Sequence, residues 1–119
     1  MASEAQRYRG LMENRGLRVT ERRGRQLTLD GKSLNYHNVT GVREGGYKVT
    51  VRLEPGPTSI HVVVNASSKE KARTAARRLE ELGFRVEVDE ERVRASTRRA
   101  GIQKLSKAID IAEEATRTR

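Results

Sequence analysis

The sequence predicts an α+β protein: an antiparallel sheet with helices packed on one face and a second face that is open and basic. Three observations carry this. Every second residue is apolar in Tyr47-Lys48-Val49-Thr50-Val51-Arg52-Leu53, with Lys48, Thr50 and Arg52 between, so one side of that strand is oily and the other cationic. The same alternation returns in Leu17-Arg18-Val19-Thr20-Glu21-Arg22 and around Arg92-Val93-Arg94. Two stripes of helical spacing, Ala72, Ala75, Ala76, Leu79, Leu82 and Ile102, Leu105, Ala108, Ile109, Ala112, can cover the oily side of such a sheet.

The elements follow in order. A helix runs from Ser3, its N-cap, to Asn14, and Gly16 stops it. Leu17 and Val19 then share a strand face. Arg23-Gly24-Arg25 reads as a corner, with Leu27 and Leu29 returning the chain before Asp30-Gly31 turns it again, a short hairpin. Lys32 to Gly46, containing Asn35, Asn38, Gly41, Gly45 and Gly46, has no sustained period and reads as a connection with an edge strand at Leu34 to Val39. Tyr47 to Glu54, a Pro55-Gly56-Pro57 turn and Thr58 to Asn65 make a clear hairpin whose Ile60, Val62 and Val64 face the core; Val63, out of phase, argues that this second strand is central.

Ser67-Ser68-Lys69-Glu70 has the form of a capping box, with Ser67 as N-cap and Glu70 at the third helical position, and Gly83 ends the helix that follows. Phe84, Val86 and Val88 form a strand, Asp89-Glu90-Glu91 turns, and Val93 and Ala95 return. Ser96 or Thr97 caps the last helix. Ile111 lies off its stripe, which suits either the edge of the core or a contact with a partner.

At 119 residues the chain is one domain, 1–119, with a single core. The 25 Lys and Arg against 16 Asp and Glu give a formal charge of +9 and a field that attracts anions, nucleic acid or an anionic surface foremost. No run approaches the ~18 apolar residues of a membrane span, and the N-terminus carries charges where a secretory signal is apolar, so a soluble, cytoplasmic protein with no membrane partner is expected. Cysteine is absent, which excludes disulfides, thiolate metal sites and cysteine nucleophiles.

Arg outnumbers Lys, and its planar fork suits phosphate and base edges. Aromatic residues make up only 3%, and of Tyr8, Tyr36, Tyr47 and Phe84 the last two sit on apolar faces, so single-strand stacking is poorly served and duplex binding gains weight.

Other chemistry finds little support. His37 and His61 have no ligand-type partner at helical spacing, and no metal or cofactor is expected. No serine sits in a Gly-x-Ser-x-Gly elbow. Neither Gly41-Val42-Arg43-Glu44-Gly45-Gly46 nor Gly31-Lys32-Ser33 completes a phosphate-binding loop. Glu87, Asp89, Glu90 and Glu91 lie among arginines and read as a solvated, salt-bridged edge.

Tyr8-Arg9-Gly10-Leu11-Met12-Glu13-Asn14-Arg15-Gly16 resembles the nine-residue motif helix of LAGLIDADG homing endonucleases: Gly10, Leu11 and Gly16 match outright, Met12 and Glu13 by class. The stretch from Asn65-Ala66-Ser67-Ser68-Lys69-Glu70-Lys71-Ala72 through Leu82-Gly83-Phe84-Arg85-Val86 is similar to that family's helix-and-strand passage. The resemblance implies a saddle-shaped sheet that cradles DNA and a homodimer through helix Ser3–Asn14, with Gly10 letting two helices approach. It also implies lost chemistry. The position of the family's metal-binding carboxylate is Arg15 here, a cation where Mg²⁺ needs a hard oxygen ligand.

The function expected from these residues is non-enzymatic binding of double-stranded DNA on the basic sheet face, through Arg18, Arg22, Lys48, Arg52, Arg92 and Arg94, with Thr20 and Thr50 as short hydroxyl contacts. An RNA-binding or ribosome-associated module is the alternative, and a protein-interaction module for an acidic partner is a third.

Overall fold

A computed structural model describes residues 3–118. The order is α1 (Glu4–Asn14), β1 (Arg18–Leu27), β2 (Ser33–Arg43), β3 (Tyr47–Glu54), β4 (Ser59–Asn65), α2 (Lys69–Glu81), β5 (Arg85–Asp89), β6 (Arg92–Thr97) and α3 (Ile102–Thr116). The six strands form one antiparallel sheet in the order β1-β2-β3-β4-β6-β5. This is the α+β architecture expected. All three helices lie on one face: α1 over β1 and β2, α3 over β3 and β4, α2 over β5 and β6.

The core forms where strand alternation meets helical periodicity. Val39, Val49, Val51, Ile60, Val62, Val64 and Val93 are buried under Met12, Leu79, Leu105 and Ile109. Ile111, off the apolar stripe of α3, is buried as well. A charged cluster closes the rim of this layer. Glu113 of α3 accepts hydrogen bonds from Tyr47 Oη (2.5 Å) and from Arg43 Nε (2.9 Å) and Nη2 (2.5 Å), and Arg43 Nη2 also donates to the Arg15 carbonyl (2.8 Å).

The first hairpin differs from the expectation. Arg23-Gly24-Arg25 is no corner: β1 continues through it for ten residues, and the turn comes at Thr28 to Lys32. Gly24 serves the pairing, because Tyr36 stands opposite it and a Cβ there would lie 2.6 Å from Tyr36 Oη. Residues Ser33–Arg43 are no connection; they form an eleven-residue strand paired with β1 and, from His37 on, also with β3, so that only its first residues, Ser33 to Tyr36, keep one neighbour. Their alternation is hidden at Gly41, where a Cβ would meet Met12 Sδ at 2.9 Å, so glycine lets α1 settle on the sheet. The hairpin's far end outruns the helices, leaving Leu27, Leu29 and Leu34 exposed rather than core-facing.

Two caps also move. Ser68, not Ser67, caps α2, its Oγ accepting from the Lys71 N–H (3.1 Å), while Ser67 Oγ donates to the Arg117 carbonyl (2.6 Å). α3 starts at Ile102 with Gly101 as N-cap and no side-chain cap; Ser96 and Thr97 belong to β6. α1 has the expected cap at Ser3, completed by Gln6.

Candidate nucleic-acid interface

The pleat sends the residues between the core positions to the helix-free face. Strand register then decides which of them become neighbours. One row across the sheet is Thr20, Thr40, Thr50, His61, Ser96 and Arg85. The row on one side of it holds Arg18, Val42, Lys48, Val63, Arg94 and Glu87, and the row on the other holds Arg22, Asn38, Arg52 and Ser59. All eight residues singled out from the sequence, Arg18, Thr20, Arg22, Lys48, Thr50, Arg52, Arg92 and Arg94, therefore share one face, and all but the half-buried Thr50 are exposed.

The register makes a lattice of four of them. Arg18-Thr20-Arg22 on β1 and Lys48-Thr50-Arg52 on β3 stand level with each other, separated by the uncharged Val42, Thr40 and Asn38 of β2. From strand geometry, the four cations mark a rectangle of about 10 by 14 Å around a row of three threonines. Like charges never sit directly opposite on neighbouring strands, which limits their mutual repulsion. Thr40 and Thr50 hydroxyls lie 3.3 Å apart within the row.

These cations are largely uncompensated. Arg18 pairs with Glu44 at 2.5 Å on an exposed surface, an interaction that solvent weakens. Among the described residues Arg22, Lys48, Arg52, Arg92 and Arg94 make no ion pair. Arg92 and Arg94 do stand opposite Asp89 and Glu87 of β5, so the positive field is weaker at that end than over the lattice. The acidic edge is thus a counterweight to β6, and Glu90 of the same turn pairs with Lys69 (2.8 Å).

Reading the sequence missed four side chains of this face. Thr40 and Asn38 went unseen with β2. Arg85 follows the alternation rule used elsewhere, outward between Phe84 and Val86, and was legible. Arg98 lies beyond the end of β6, and only the fold brings it to the same face, beside Arg52 and Arg85 in an open cavity of about 720 Å³.

The histidines separate. His61 is on the open face, where burial and the neighbouring Arg52 charge hold its pKa below the ordinary 6.5, leaving the ring neutral at pH 7. His37 lies under the opposite side of the hairpin with Nε2 2.5 Å from Glu21 Oε2, and that hydrogen bond lowers the Glu21 carboxyl pKa. Among the described residues, no group of three His, Asp or Glu side chains converges as a metal site would require. No described helix is long and apolar enough to cross a membrane.

Arg15 is tied into the helix layer, donating to Asp110 Oδ1 (2.5 Å) and Ser106 Oγ (2.8 Å) of α3. Gly10 lies away from the buried Ala5, Tyr8 and Met12 of α1, with nothing within 4 Å of where its Cβ would be. No protein-family model, curated protein or solved structure matches this chain significantly, so what the face binds is reasoned from its own chemistry.

Proposed function

We propose that this protein is a non-enzymatic double-stranded DNA-binding protein that lays the open sheet face against the duplex backbone. The observation that carries the reading is the lattice of Arg18, Arg22, Lys48 and Arg52 around the Thr20, Thr40 and Thr50 row. Each phosphate neutralised by such a cation releases condensed counterions, so several cations on one rigid sheet produce affinity without any base contact. The threonine hydroxyls add neutral hydrogen bonds to phosphate or sugar, which fix position rather than read sequence. Single strands are disfavoured: Tyr8, Tyr47 and Phe84 are buried, leaving Tyr36 as the one Tyr, Phe or Trp ring on the face among the described residues.

The LAGLIDADG-like motif helix supports the same reading, as a DNA-cradling scaffold whose metal-binding acid is replaced by Arg15. A homodimer through α1 belongs to that proposal and would form over the Gly10 surface; sedimentation velocity reads it directly. The test of function is a gel shift against duplex DNA, duplex RNA and single strands across a salt series. Duplex DNA binding that weakens steeply with salt is expected. Binding confined to RNA, or none to any nucleic acid, would overturn the proposal in favour of an RNA-binding module or an acidic protein partner.

A further inference from the structure

The cavity of about 720 Å³ at the β3–β4 turn end of the open face is of the size that holds small ligands. Its floor is a hydroxyl and imidazole surface, Ser59 and His61 of β4 with Ser96 of β6. Its walls carry three guanidiniums from separate places in the chain: Arg52 on β3, Arg85 on β5 and Arg98 after β6. No aspartate or glutamate lines it, and none of the three arginines makes an ion pair among the described residues. The wall bearing Arg98 is held in place: the Ala100 N–H donates to the Thr58 carbonyl (2.9 Å), and Arg99 takes φ +62°, a backbone conformation costly for a residue with a Cβ.

We infer that this cavity is a binding site for consecutive phosphate groups, the guanidiniums gripping the oxygens and the serines and His61 donating from the floor. Arg85 and Arg52 stand on strands three places apart, about 14 Å by strand spacing, so their guanidiniums enter from opposite walls, an arrangement suited to a chain of two or more phosphates. Among the described residues no Phe, Tyr or Trp lines the cavity, so its guanidiniums and hydroxyls favour phosphate over a stacked base. The phosphates can come from a nucleic-acid backbone or from a free polyphosphate ester. The inference stands whether or not the lattice binds duplex.

Titration of the full chain with inorganic pyrophosphate, followed by calorimetry and by the His61 imidazole proton resonance, tests it. The expected result is saturable one-site binding, an upward shift of the His61 pKa as the anion offsets Arg52, and at least tenfold weaker binding in Arg85→Ala/Arg98→Ala. Both arginines are exposed, so a thermal melt should show that variant folded. Arg73→Ala, on the outward side of α2 and outside both the cavity and the lattice, should leave pyrophosphate binding unchanged. Displacement of pyrophosphate by a short duplex would assign the site to backbone phosphates; failure to displace would assign it to a free polyphosphate. Non-saturable binding, or binding indifferent to loss of Arg85 and Arg98, would overturn the inference.

Discussion

Replacing Lys48 and Arg52 with alanine removes one long edge of the cation lattice while leaving its threonines in place. Both side chains are exposed and neither makes an ion pair among the described residues, so stability should move by no more than ~0.5 kcal/mol. Duplex affinity should respond strongly. If each cation neutralises one phosphate, the double variant flattens the log-log salt slope by ~1.8. That change corresponds to ~30-fold weaker binding at about 0.15 M salt, and to a wild-type affinity loss ~12-fold greater than the variant's between about 50 and 200 mM. Fluorescence anisotropy with a labelled duplex over that salt range measures both quantities. The control is Arg73→Ala/Arg77→Ala on the outward side of α2, which removes the same net charge from the other face. A slope change equal in both variants would mean that total charge, not the lattice, sets binding; an unchanged slope in Lys48→Ala/Arg52→Ala would refute the reasoning outright.

Three further outcomes are expected. Leu79→Ala empties a fully buried position of α2 and should cost ~2–5 kcal/mol, lowering Tm by roughly 10 °C or more, which a thermal melt checks. Supercoiled plasmid incubated with the protein and Mg²⁺ or Mn²⁺ should stay supercoiled, because a guanidinium that keeps its proton occupies the Arg15 position; metal-dependent open circles that persist through further purification would contradict this. Burial alone would raise the pKa of Glu113, but hydrogen bonds from Tyr47 and Arg43 outweigh it and hold the folded pKa below the ordinary 4.5. Its stabilisation is therefore complete above that ordinary value and is lost as pH falls through the folded one, so the Tm gap between wild type and Glu113→Gln should narrow on acidification.

The sequence was most legible where alternation was unbroken. β3, β4 and β6 could be traced from their inward residues, Tyr47, Val49 and Val51, then Ile60, Val62 and Val64, then Val93 and Ala95, and with them the outward cations. β2 was illegible because its two signals were displaced: Gly41 stands where a buried side chain would mark the period, and His37 is a buried polar residue. Gly24 misled for a related reason, since a glycine that makes room for a facing ring looks in sequence like one that turns the chain. The caps failed locally. Two adjacent serines offer the same chemistry before α2, and the backbone chose Ser68 while Ser67 tied the C-terminal segment. Arg98 has no pattern at all; its place in the cavity depends on tertiary structure.

The central claim is that the helix-free sheet face meets the duplex. Backbone amide chemical-shift mapping of the protein with and without a short DNA duplex tests it most directly. Perturbations concentrated at Thr20, Thr40, Lys48, Thr50 and Arg52, with the outward residues of α1 and α2 unmoved, are predicted. Perturbations that gather on the helices while β1, β2 and β3 stay silent would contradict the account.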